Sequence, residues 1–150
     1  MALSLVFFRN TGHSLQTPIS EKPAIVYHEP KHVPSSEATR QPAKRTLDEF
    51  VRTAIVRHDP GEAWTLATPH MQEGSTRAEW QAGTLPVPPY PGSEFRTAGY
   101  RLKYSYRGVL GYDVLVLPKT PKGEQRIYAC ELHDVHGRWL VDFCYPRATL

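Results

Sequence analysis

Apolar and polar residues alternate through much of the C-terminal third of the chain. In Gly137-Arg-Trp-Leu-Val-Asp-Phe-Cys-Tyr-Pro146, Trp139, Val141, Phe143 and Tyr145 alternate with Leu140, Asp142 and Cys144, the period of a strand with one face buried. Arg126 to His133 predicts its partner, joined by a turn over Asp134–Gly137 in which Gly137 supplies positive φ. Tyr100 to Arg107 sets Tyr100, Leu102, Tyr104 and Tyr106 against Arg101, Lys103, Ser105 and Arg107, an aromatic face and a basic one. Val109 to Leu117 is apolar on both faces, as a covered central strand requires. Four strands with short links predict an antiparallel meander.

Upstream the period changes. Leu47, Phe50, Val51, Ala54, Ile55 and His58 recur at the spacing of one helix face. Thr46-Leu-Asp-Glu49 has the form of a capping box, with a start near Pro42 as the alternative. Asp59-Pro-Gly-Glu62 predicts a second, short helix through Ala67, ended by Thr68-Pro69. Ser75 to Gln81 predicts a third, stopped by Gly83, and the proline-rich run from Gly83 to Gly92 predicts a rigid connection over the surface. Helices followed by an antiparallel sheet predict an α+β domain, with the sheet curling over the first helix.

The 150 residues suit one domain with a core of its own. Of its 14 prolines, five fall at or before Pro42 and four lie from Pro86 to Pro91, and none interrupts a proposed strand. Residues 1–41 are expected to form a flexible arm or linker, and residues 42–150 the compact domain. Ala24 to Tyr27 has the composition to pair at a sheet edge. Ala2 to Phe8 is apolar but too short to span a bilayer. It reads either as the end of a membrane anchor whose upstream part lies before Met1, or as an N-terminus packed on the surface. The net charge of +3 is spread along the chain, so no nucleic-acid partner is expected.

Two cysteines, Cys130 and Cys144, lie on neighbouring proposed strands. A four-residue turn pairing His133 with Arg138 sets Cys130 opposite Val141 and points Cys144 to the other face. Two free thiols are therefore expected; a bulge or another turn length would instead bring the sulfurs together. No ligand set with zinc spacing surrounds them, so neither metal nor cofactor is expected. Gly-x-Ser-x-Gly, a glycine-rich phosphate loop and His-Glu-x-x-His are all absent.

The helix Leu47-Asp-Glu-Phe-Val-Arg-Thr-Ala-Ile-Val-Arg57, the helices at Ala63-Trp64 and Thr76-Arg-Ala-Glu-Trp80, and the strands ending in Gly137-Arg-Trp-Leu-Val-Asp-Phe143 together resemble a nuclear transport factor 2-like domain of the cystatin-like superfamily. Leu15-Gln-Thr-Pro-Ile-Ser20, Pro86-Val-Pro-Pro-Tyr-Pro91, Leu110-Gly-Tyr-Asp-Val-Leu-Val-Leu-Pro118 and Trp139 to Arg147 are similar to uncharacterised actinobacterial proteins with one membrane helix, a linker and such a domain outside the cytoplasm. The resemblance implies a cone of helices on a curved four-stranded antiparallel sheet. It also implies an extracytoplasmic role at the cell envelope, binding a protein partner or a small apolar ligand, with a homodimer compatible. Two alternatives stay open: a small-molecule enzyme of the SnoaL or isomerase kind, and a VirB-family assembly subunit. These motifs specify packing, so no catalytic set is carried over.

In such a cone the pocket lies between helices and sheet, and His58, Trp64, Trp80, Tyr104, Tyr112 and Asp142 are its candidate lining. Asp113 and Asp142 are strand carboxylates, and Glu131 shares a face with His133. A buried carboxylate facing Tyr104 or Tyr112 would serve as a general base. Otherwise these are paired or solvent-facing strand positions, and the tryptophans are core.

Overall fold

Ser36 starts the first helix, α1 (Glu37–Phe50): its hydroxyl accepts from the Thr39 amide at 3.2 Å, and Glu37 complements the positive helix end. The computed structural model describes residues 29, 31–91, 95–120 and 123–147. The expected anchor segment at Ala2–Phe8, the edge pairing at Ala24–Tyr27 and the Leu15–Ser20 motif lie outside them. The predicted helix start at Pro42 or Thr46 is corrected to Glu37. Thr46 to Glu49 lie in the helix interior, where the amides a capping box would serve already bond to helix carbonyls. Pro42 is carried inside the helix, flanked by buried Ala43, Leu47 and Phe50, whose packing holds the chain helical across the missing donor.

From Val51 to Ile55 the helix widens into a π turn, with the Val56 amide bonding the Val51 carbonyl at 3.0 Å. The wider turn buries Val51, Thr53, Ala54 and Ile55 together. Arg57 then turns the chain with φ 63°, and its guanidinium donates to the carbonyls of Ala54 and Val87. Burial lowers the pKa of Arg57 from its ordinary value, so these carbonyls hold a partly desolvated cation.

Three short helices follow. They are α2 (Pro60–Ala63), which runs into a 3₁₀ turn at Trp64–Leu66, α3 (Pro69–Gln72) and α4 (Arg77–Gln81). Thr68-Pro69, expected as a stop, follows the end of that turn at Leu66 and also begins α3: the Thr68 hydroxyl accepts from the Met71 amide at 3.2 Å. A capping box between Thr76 and Glu79 opens α4. The proline-rich connection contributes to the core rather than only crossing the surface. Val87 and Tyr90 are buried, and the Tyr90 amide bonds the Ile55 carbonyl at 2.8 Å.

The strands are β1 (Phe95–Tyr106), β2 (Val109–Pro118), β3 (Arg126–Val135) and β4 (Arg138–Pro146), in that spatial order and antiparallel. The chain is thus α+β, with the predicted meander. Tyr112, Val114, Val116, Tyr128 and Leu132 project from one sheet face to meet Leu47, Phe50, Ile55 and Trp80 in the core. Alternation sends Gly111, Asp113, Ala129, Glu131 and His133 to the opposite face.

The β3–β4 hairpin differs from the predicted four-residue turn. Its loop has two residues, His136 and Gly137, with φ of 53° and 82°, and pairs Val135 with Arg138. Positive φ at both central residues matches the strand twist. A bulge follows: Leu132 pairs with Val141 and Glu131 with Phe143, which leaves Asp142 as the extra residue. The shift sets Cys130 opposite Cys144, with Cα atoms 4.1 Å apart, and the two form a disulfide. The expectation of free thiols is therefore corrected.

Candidate functional site

The bulge that pairs the cysteines also frees Asp142 from the strand alternation and turns it towards the edge of β4. There the chain at Ala67 bridges Val141, and the Thr68 amide bonds the Val141 carbonyl at 2.9 Å. Thr68 is thereby fixed beside Asp142: its hydroxyl donates to Asp142 Oδ1 at 2.5 Å. His70 Nδ1, two residues on, lies 3.0 Å from Oδ2 of the same carboxylate. Asp142 is 8 % exposed, so both oxygens depend on protein partners.

A second carboxylate approaches from β3. Glu131 and His133 point to the same face, two residues apart, and His133 Nε2 is 2.7 Å from Glu131 Oε1 and 3.9 Å from Asp142 Oδ2. The donor atoms of Glu131, His133 and Asp142 all lie within 4.8 Å of one another. The other Glu131 oxygen accepts from the Tyr104 hydroxyl at 2.5 Å, a bond that crosses the intervening strand β2.

That crossing is possible because residue 111 has no side chain. Tyr104 pairs with Gly111, and a Cβ built on Gly111 would sit 2.2 Å from Tyr104 Cζ. The ring therefore lies across the bare backbone of β2 and carries its hydroxyl to β3. Burial first, and then the Glu131 carboxylate, raise the Tyr104 pKa, so the hydroxyl stays a donor.

Next to this cluster, Asp113 is 5 % exposed and faces three cations. Arg101 Nη2 donates to it at 2.9 Å, Arg147 Nε stands 3.1 Å away without alignment for a hydrogen bond, and Lys103 Nζ is at 3.9 Å. A cavity of about 330 Å³ opens beside Asp113, lined by Gly99, Tyr100, Arg101, Leu115 and Ile127. Two stacked aromatic pairs complete this face, Tyr104–Tyr106 at 5.3 Å and Phe143–Tyr145 at 5.7 Å, with Tyr145 about half exposed.

No family model, curated protein or solved structure matches this chain.

The six expected lining residues do not surround one pocket. His58 is exposed beyond the helix end. Trp64 and Trp80 meet edge to face at 5.3 Å within the helical layer, where Trp80 Nε1 donates to Ser75 Oγ at 2.9 Å. Tyr112 belongs to the core under α1. Tyr104 and Asp142 converge on the Glu131–His133 pair, on the face away from the core, and Tyr104 also shares with Tyr112 the lining of a small cavity of about 50 Å³. Sequence reading missed Thr68 and His70. Their one signal, the Thr-Pro helix start, says nothing of the strand edge they meet.

Proposed function

We propose that this chain is a non-enzymatic binding module of the nuclear transport factor 2-like kind, acting outside the cytoplasm at the cell envelope, with another protein as its partner. The observation that carries the reading is where the aromatic surface lies. Phe50, Trp80, Tyr112 and Tyr128 fill the space between helices and sheet, while Tyr106, Phe143 and Tyr145 stack on the other face. Aromatic side chains flanked by arginines are the surface composition of protein interfaces. The Cys130–Cys144 disulfide supports an oxidising compartment.

The test is site-specific cross-linking in the native host, with a photo-reactive residue at Tyr145 or at Gln81, which is exposed on α4. The module reading expects one defined protein adduct from position 145 and none from position 81. Adducts from position 81 alone would reject it.

One observation favours an enzymatic alternative: a buried carboxylate with histidine and a tyrosine–carboxylate bond nearby. Against it, the 330 Å³ cavity is lined by other residues than this cluster. Turnover of an epoxide or ketosteroid substrate, lost in Asp142→Asn, would establish that alternative.

A further inference from the structure

We infer that Glu131, His133 and Asp142 form a binding site for a divalent transition-metal ion, with His70 as a fourth ligand at its rim. The three donor atoms lie within 4.8 Å of one another, His133 Nε2 being 2.7 Å from Glu131 Oε1 and 3.9 Å from Asp142 Oδ2, and ligand atoms around a tetrahedral ion with bonds of about 2.0–2.2 Å sit about 3.3–3.6 Å apart. Closing the site on an ion needs side-chain shifts of up to about 1 Å.

The donors are held from behind as metal ligands are. Each carboxylate is anchored through one oxygen by a hydroxyl from a different element, Glu131 by Tyr104 and Asp142 by Thr68. The other oxygens, Oε1 and Oδ2, are the ones that face His133 Nε2. Outer partners of this kind fix the orientation of ligating carboxylates. Two carboxylates converging on one imidazole also set up a negative site that favours a cation. His70 Nδ1 is 3.0 Å from Oδ2 on a side chain 70 % exposed, so it can turn to the ion, and His133, 36 % exposed, leaves a path from solvent. One or two imidazole nitrogens with two carboxylate oxygens suit Mn²⁺ to Zn²⁺ rather than Mg²⁺ or Ca²⁺. Glu-x-His on one strand face, with an aspartate from the next strand, differs from the usual zinc-ligand spacings.

The test is calorimetric titration of the chelator-treated full chain with Zn²⁺, and separately with Mg²⁺, alongside its thermal midpoint. Wild type is expected to take up one equivalent of Zn²⁺ with a rise in midpoint, and to ignore Mg²⁺. His133→Ala, a partly exposed position whose folding is checked by circular dichroism, is expected to lose that equivalent, whereas His58→Ala keeps it. Tyr104→Phe is expected to weaken binding by about 10- to 100-fold, as loss of an outer partner does. Uptake unchanged in His133→Ala overturns the assignment, as does a wild-type chain that takes up no Zn²⁺.

Discussion

At position 111 the sheet makes room for an aromatic ring by carrying no side chain. Gly111→Ala would force the Tyr104 ring out of its place and break the bond to Glu131. The expected cost is about 1–3 kcal/mol, as for overpacking elsewhere. Most of that cost is expected to vanish in a Tyr104→Ala background, because the two residues compete for one volume. Denaturant unfolding of the four species of this cycle measures both. The tyrosines also set an alkaline limit. Tyr90, Tyr104, Tyr112 and Tyr128 have pKa values raised by burial from the ordinary 10.0. Below pH 10.0 they are neutral in both folded and unfolded chains, and their contribution is fully present. As pH climbs past 10.0 the unfolded chain loses protons first, so stability falls. The share of tyrosinate absorbance lost when these four are replaced by Phe should therefore rise in step with unfolding, not ahead of it.

Among the elements, the β3–β4 hairpin does most to define the site. One inserted residue, Asp142, brings the cysteines opposite each other and turns a carboxylate towards α3. The Cys130–Cys144 bond closes a loop of 14-residue separation, for which the chain-entropy account gives about 3 kcal/mol. Reduction is expected to lower stability by about 2–3 kcal/mol and to speed amide exchange in β4 more than in β1; exchange-detected mass spectrometry checks both. Thr68 serves two elements, capping α3 and donating to buried Asp142. Thr68→Val should cost about 2–4 kcal/mol, the sum of a lost cap and a lost bond to a charged acceptor. Thr76→Val removes a cap and a hydroxyl–carboxylate bond to Glu79 that are both exposed and should cost about 1 kcal/mol, so the difference between the two measures what burial adds to the Asp142 bond.

Over the whole molecule, the sheet divides two environments. The helical side is filled by large side chains, and the other side holds ionisable groups in pairs and clusters, with half-exposed aromatics between them. No described helix is long and apolar enough to cross a membrane. The proposed docking and metal functions both lie on the sheet face away from the core, the metal site at its β4 edge beside α3, so they are open to each other's influence. If a partner covers Tyr145, Zn²⁺ uptake by the Glu131–His133–Asp142 site should slow in its presence.

Periodicity alone determined the four strands, their antiparallel order and the apolar stripe from Leu47 to Ile55, because alternation and helical spacing are local properties of the chain. The same local reading made Asp142 and Glu131 with His133 candidates, yet it looked for their pocket under the helices. Only tertiary structure decided that Gly111 lets Tyr104 cross a strand, that a bulge realigns Cys130 with Cys144, and that Thr68 and His70 arrive beside β4. Each of these depends on register between segments, and a one-residue shift in register leaves the composition and period of either strand unchanged.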